Sequence, residues 1–158
     1  MKLKNFCIAL TALFLIAGCG ERRVYSPTEM VEGIVTLDGV PVEGVDVTFY
    51  PVDSSVGHTA TGRTDANGRY TLSSITGAPG RGTTAGEYRV VVSLWVTREL
   101  DEPFFDRAQD MVISSVSEEM LPRVYTDDRT TPLTVTVNSG NNVIDLELSS
   151  TAVSRQGR

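Results

Sequence analysis

Seven short stretches of the chain are rich in strand-forming residues, and most of them alternate between apolar and polar residues, the pattern of β-strands with one buried face. In one of them Val45, Val47 and Phe49 are apolar, and a polar residue separates each from the next. The stretches are residues 30–37, 45–50, 60–64, 69–72, 88–96, 133–137 and 143–148. We therefore predict seven strands and an all-β fold.

Turn-forming residues separate these stretches. Asp38-Gly39 suits a reversal that needs positive φ, and Pro41 lacks the N–H that a central strand donates, which predicts a loop over residues 38–44. In residues 65–68 (DANG) side-chain oxygens can bond the backbone while the glycine takes the left-handed conformation. Short strands with such turns, and no long apolar helix between them, indicate an antiparallel β-sandwich.

Residues 98–121 depart from this pattern. They are rich in charge, and their apolar residues do not alternate strictly. Val112, Val116 and Met120 are spaced by four, which predicts a short helix over residues 107–120, and Pro122 would end it. The complete prediction is a seven-stranded antiparallel sandwich with one short helical insertion.

The N-terminus has the order of an export signal: Lys2 and Lys4, an apolar run over residues 6–17, then small residues. The run would form about 18 Å of helix, which is shorter than the roughly 30 Å hydrocarbon core of a bilayer. A stable membrane-spanning anchor is therefore the weaker interpretation.

The residues around Cys19 resemble the lipobox of bacterial lipoproteins, because Ile16, Ala17 and Gly18 supply a branched apolar residue and two small ones. The resemblance implies cleavage before Cys19 and attachment of a diacylglycerol to its sulfur. Cys7 would leave with the signal, so the mature chain would hold one thiol and no intramolecular disulfide; lipid on Cys19 accounts for that thiol. The alternative is an ordinary secretory signal with a chance cysteine.

We expect four segments: a lipoprotein signal peptide (1–18), a lipid anchor and polar tether (19–29), one β-sandwich domain (30–149) and a disordered polar tail (150–158). Removal of the signal also removes both lysines and leaves 12 arginines against 20 acids, a net charge of about −8. The arginines are scattered. This balance argues against nucleic acid as a partner.

Several stretches resemble the carboxypeptidase regulatory-like domain. They are residues 31–35 (VEGIV), 39–47 (GVPVEGVDV), 64–70 (TDANGRY) and 86–92 (GEYRVVV). The resemblance implies a Greek-key β-sandwich of transthyretin-like or Ig-like type with a binding or spacer role. It carries no catalytic residue to this chain.

Candidate chemistry is sparse. His58 is the only histidine and lies in a polar stretch, so an exposed loop residue is the simpler interpretation and a catalytic or metal role the alternative. Asp65 and Asn67 fit a side-chain-capped turn better than a calcium loop, because the residues after Gly68 are not ligands. The acids between 99 and 110 fit a solvated face better than a glycosidase pair. We expect no enzyme activity, no cofactor and no metal.

The aromatic residues Trp95, Phe104 and Phe105 have two interpretations. The simpler is packing in the core or a lid over the sandwich, and the alternative is a carbohydrate or protein contact. We expect a non-catalytic, lipid-anchored module of the cell envelope, with an envelope protein or a glycan as partner. Gly20 rather than Asp follows the cysteine, and the resemblance to the lipoprotein sorting rule of some bacteria implies the outer membrane, with the domain facing the periplasm or the exterior. The alternative function is a carbohydrate-binding accessory domain that uses Trp95 and residues 98–121.

Overall fold

A computed structural model of the chain describes residues 28–55, 57–75 and 82–153. The predicted signal peptide and Cys19 lie outside these residues. The described residues form twelve strands and a 3₁₀ turn at Arg123–Tyr125. The strands are β1 Met30–Leu37, β2 Val40–Pro41, β3 Asp46–Pro51, β4 Ala60–Arg63, β5 Arg69–Thr71, β6 Ser73–Ser74, β7 Gly86–Ser93, β8 Trp95–Asp106, β9 Met111–Glu119, β10 Thr134–Val137, β11 Asn141–Val143 and β12 Leu146–Leu148. The prediction of an all-β fold is confirmed.

The first sheet is built around β1. It pairs antiparallel with β2 and β5, and parallel with β11 and β12. The prediction of a purely antiparallel arrangement is therefore wrong at β1. The predicted loop 38–44 is also too long, because Val40 and Pro41 pair with Leu37 and Thr36. Pro41 is tolerated there because β2 is a short edge strand.

The second sheet is antiparallel throughout, in the order β10-β7-β3-β4-β6. It contains the strands in which alternation is clearest. In β7 every second residue is buried, namely Tyr88, Val90 and Val92. Alternation places these side chains on one face, and the other face is partly exposed.

The two sheets share one core, which gives the fold its sandwich-like character. The rings of Phe49 in β3 and Tyr70 in β5 meet between the sheets with centroids 6.4 Å apart. The fully or almost fully buried apolar residues of this core are Val31, Val35, Val45, Val47, Phe49, Ala60, Tyr70, Leu72, Tyr88, Val90, Val92, Leu121, Val124, Tyr125, Val137, Leu146 and Leu148. They come from both sheets, from the 3₁₀ turn and, for Val45, Leu72 and Leu121, from residues between the elements.

The predicted turn at residues 65–68 is confirmed. The Asp65 carboxylate accepts the backbone N–H groups of Asn67 at 2.8 Å and Arg69 at 2.9 Å, and Gly68 has a φ of 72°. The N–H of Arg69, and to a lesser extent that of Asn67, holds the pKa of Asp65 below its ordinary value. This carboxylate therefore already accepts hydrogen bonds within its own turn.

The last predicted strand, 143–148, is two strands. Between them the Ile144 carbonyl accepts the Tyr70 hydroxyl at 2.7 Å, and an Asp145 carboxylate oxygen accepts the Ile34 N–H at 2.9 Å. The approach of Ile144 requires glycine at position 33, where a Cβ would fall on the Ile144 carbonyl. Burial, together with the charge of Asp145, raises the pKa of Tyr70.

The predicted helical insertion is wrong. β8 and β9 form an antiparallel hairpin whose two strands pair with no other strand in the described part of the chain. A register shift between Glu99 and Phe104 divides it into a part near the sandwich and a distal part that carries the turn.

The predicted tail begins at Ser150, and its first four residues are described. The N–H of Ser150 donates to the Asp38 carboxylate at 3.1 Å, and Ala152 is half-buried against the core. Bonds from Ser150 hold the pKa of Asp38 below its ordinary value. Residues 154–158 lie outside the described residues.

Candidate ligand-binding surface

Seven of the fifteen exposed large apolar side chains of the described residues lie on the β8–β9 hairpin. Trp95, Phe104 and Phe105 are 57%, 54% and 55% exposed, so they do not pack into the core. Met111 and Val112, across the distal end, are also about half exposed. The hairpin therefore presents apolar surface to solvent where the sandwich strands bury theirs.

The three predicted aromatic residues do not converge. Trp95 pairs with Glu119 at the base of the hairpin, whereas Phe104 pairs with Ile113 in its distal part. Their partners Ile113 and Glu119 are an even number of positions apart on β9 and therefore point to the same face of the hairpin. Trp95 and Phe104 lie on that face too, which we call the tryptophan face. Phe105 pairs with Val112 and lies on the opposite face.

Glu119 fixes the base of the hairpin to the sandwich. Its Oε1 accepts the backbone N–H of Leu94 at 2.8 Å and that of Leu121 at 3.0 Å. Its Oε2 is buried and has no hydrogen-bond partner among the described residues. One carboxylate thus holds both strands of the hairpin where they leave the domain, and places Trp95 beside it.

A cleft of about 710 Å³ opens at this base, on the tryptophan face. Its lining consists of Trp95, Glu119, Arg123, Val124, Thr126, Asp127, Thr130, Ala152 and Val153. The lining residues therefore include one aromatic, two acidic, one basic and two hydroxyl-bearing residues.

The 3₁₀ turn, two residues of which line this cleft, is anchored to the core. Val124 and Tyr125 are buried in the core, and the Tyr125 hydroxyl accepts the N–H of Ser149 at 3.1 Å. Asp127 accepts the N–H of Arg129 at 2.8 Å through its side chain. The Thr130 hydroxyl donates to the Val124 carbonyl at 3.2 Å.

The cleft was only partly foreseeable from the sequence. The sequence offers Trp95 as a candidate, but neither Glu119 nor Arg123. The stretch from 120 to 125 contains a proline and three buried residues, yet nothing local in the sequence indicates that it lines a cleft with Trp95. That arrangement depends on the hairpin returning the chain to its own base.

The other candidate residues from the sequence have structural roles. His58 is half-buried; its carbonyl accepts the Thr83 hydroxyl at 2.7 Å, and its N–H donates to Thr84 at 3.3 Å. The hairpin acids are mostly exposed, and Asp106 caps the turn by accepting the N–H of Ala108 at 2.8 Å. Over the described ranges, no group of three or more His, Cys, Asp or Glu is placed to hold a metal ion.

Comparisons with protein-family models, with curated proteins and with solved structures found no match to this chain. Among the residues that the structure describes, none forms a helix of the length and apolar character needed to cross a bilayer.

Proposed function

We propose that this chain is a non-catalytic, lipid-anchored module of the bacterial cell envelope. The observation that carries the proposal is the run Ile16-Ala17-Gly18-Cys19 directly after an apolar stretch of export-signal length. A second observation supports it, because Cys19 would be the sole cysteine of the mature chain. Two or three acyl chains, attached through the sulfur and the amino group of Cys19, would hold the module firmly at a membrane.

The structural roles of the matched residues support a non-catalytic module. Asp65 and Gly68 form a turn, Gly33 admits a carbonyl, and Tyr70 and Tyr88 fill the core. We infer a transthyretin-like, Greek-key arrangement of carboxypeptidase regulatory-like type, supported by those stretches and by two sheets around one core. We place the domain at the outer membrane, supported by Gly20 after the cysteine.

Metabolic labelling tests the anchor. Cells fed radiolabelled palmitate and expressing the full chain should yield labelled protein in the membrane fraction. Cys19→Ala should lose the label and retain the signal, because the thioether cannot form. Cys7→Ala is the matched control, since it removes the other cysteine, and it should label like wild type. Label that persists in Cys19→Ala would exclude this proposal.

A second candidate function is carbohydrate binding at the cleft. It is favoured by the exposed face of Trp95 beside Arg123 and Asp127, because sugars stack on an indole while polar groups bond their hydroxyls.

Calorimetric titration of the full chain with cell-wall glycans tests this candidate. Trp95→Ala should abolish binding, and Phe105→Ala should not, because Phe105 is equally exposed on the other face of the hairpin. Absence of binding by wild type and both variants would remove the candidate.

A further inference from the structure

The β8–β9 hairpin leaves the outer edge of β9 unpaired. β8 occupies one side of β9, and none of the described strands occupies the other. An unpaired edge displays a row of backbone N–H and C=O groups that can bond another strand. Residues 114–118 are exposed along this edge, so the sandwich does not cover it.

The hydrogen-bond pattern identifies the groups that point outward. The N–H of Met120 donates to the Leu94 carbonyl at 2.9 Å, which places residues 94 and 120 at a hydrogen-bonded position of the ladder, although the Leu94 N–H donates to Glu119 Oε1. Bonded and non-bonded pairs alternate in an antiparallel ladder. The pairs Thr97–Ser117 and Glu99–Ser115 are therefore non-bonded, and the backbone groups of Ser115 and Ser117 point away from β8.

The two edges of the hairpin differ in their fitness for pairing. β8 contains Pro103 and the register shift after Glu99, features that obstruct an added strand. β9 has nine residues, no proline and no glycine. Its edge is the one that can extend the sheet.

The negative charge of the hairpin indicates the charge of the partner that could bind it. Residues 95–119 hold seven acids and two arginines, a net charge of −5 within a chain whose net charge is −6. A second copy would bring the same negative hairpin, and a bilayer of anionic lipid would also repel it. A segment rich in arginine or lysine is complementary, and apolar residues between those basic residues could contact Phe104 and Ile113.

We propose that the free edge of β9 binds an extended, positively charged segment of a partner protein, which adds to the hairpin as a third strand. Backbone bonds to Ser115 and Ser117 give this segment its register, and the hairpin acids give the preference for basic residues. The inference adds a partner class to the proposed envelope module and does not require the lipid.

Fluorescence anisotropy with synthetic peptides tests the inference on the full chain purified in detergent. A labelled peptide of alternating arginine and valine should bind, and its glutamate-valine counterpart should not. Methylation of alternate backbone nitrogens on the pairing edge of the arginine peptide keeps its charge and removes its donors. It should weaken binding by about tenfold or more.

Variants of β9 supply the reciprocal test. Ser115→Pro removes one outward N–H and no bond to β8, so it should weaken peptide binding by about tenfold. Ser115→Ala retains the N–H and should bind like wild type. Circular dichroism checks that the proline variant is folded; if it is not, the methylated peptide alone decides.

Three outcomes would overturn the inference. Equal binding of the methylated and unmethylated peptides would leave only charge attraction. A dimer of the full chain that Ser115→Pro abolishes would assign the edge to a second copy. If the chain bound no peptide but did bind a glycan, the hairpin would be a carbohydrate-binding surface instead. Repeating the titration with Cys19→Ala separates this result from the anchor, because peptide binding should survive loss of the lipid.

Discussion

The Tyr88 hydroxyl lies in a buried polar cluster between β7 and the preceding loop. It donates to the Thr84 carbonyl at 2.8 Å, and it lies 3.0 Å from the Thr83 hydroxyl and 2.8 Å from the Thr84 hydroxyl. The Thr83 hydroxyl also reaches the His58 carbonyl. The Tyr88 hydroxyl therefore links two loops to the core. Its hydrogen-bonding partners are themselves buried, so water would not replace it if it were removed.

Tyr88→Phe should lower the free energy of unfolding by about 1–3 kcal/mol, because it keeps the ring and removes the hydroxyl that donates to the buried Thr84 carbonyl. Tyr50→Phe is the control, since Tyr50 is 39% exposed, and should change stability by less than about 0.5 kcal/mol. Urea unfolding of the full chain measures both. Equal effects of the two substitutions would show that the cluster contributes nothing specific.

The turn at Asp65 should make stability depend on pH. The N–H groups of Arg69 and Asn67 depress the pKa of this carboxyl in the folded state. The unfolded state therefore binds its proton first as the solution is acidified, and the stabilisation present above about pH 4 is lost as pH falls through the lower folded value. Asp65→Asn should be less stable than wild type at pH 7, with a difference that shrinks in acid.

Urea midpoints at several pH values check this prediction. Glu147→Gln, an exposed substitution on β12, serves as the control and should follow the wild-type pH dependence. A constant gap between wild type and Asp65→Asn from neutral to acid pH would contradict the role given to the ionised carboxylate.

Residue-level features were predictable where their cause is local. The Asp65 turn follows from four consecutive residues, and the sequence predicts it correctly. Glu119 is different, because it bonds Leu94 from 25 residues away, and no spacing along the chain indicates that partner. The cleft depends on such distant contacts, so the sequence indicates only its tryptophan.

Among the elements, the hairpin shows why spacing alone misassigns structure. Val112, Val116 and Met120 are four apart, which fits one face of a helix, yet an even spacing also places residues on one face of a strand. Val112, Ile113 and Val116 are β-branched and favour strands. The core strands were predictable because each buries one face, whereas the hairpin buries neither.

The exposure of the hairpin predicts a contrast between phenylalanines. Phe104→Ser and Phe105→Ser should each lower the unfolding free energy by less than about 1 kcal/mol, since each loses only cross-strand contacts. Phe49→Ala should lower it by about 3–5 kcal/mol, because Phe49 is fully buried between the sheets.

Thermal or urea unfolding distinguishes these variants. A loss at Phe104 or Phe105 comparable with that at Phe49 would mean that the hairpin folds back on the sandwich, contrary to its exposure. Retained stability would also make both substitutions suitable for mapping partner contacts.

On the scale of the whole molecule, the two sheets provide the buried core, and the hairpin exposes apolar and acidic side chains to solvent. The surface is acidic and would be repelled by anionic lipid, so nothing in the described domain itself favours contact with such a bilayer. In our account the lipid at Cys19 supplies the attachment, and the residues before Met30 separate the domain from the membrane.

The measurement that tests this account most directly is the mass of the N-terminal peptide of the mature protein, isolated from the membranes of the cells that make it. We predict a peptide that begins at Cys19, with a diacylglycerol in thioether linkage to its sulfur. A peptide that still begins at Met1, or one that carries a free Cys19 thiol, would contradict the account.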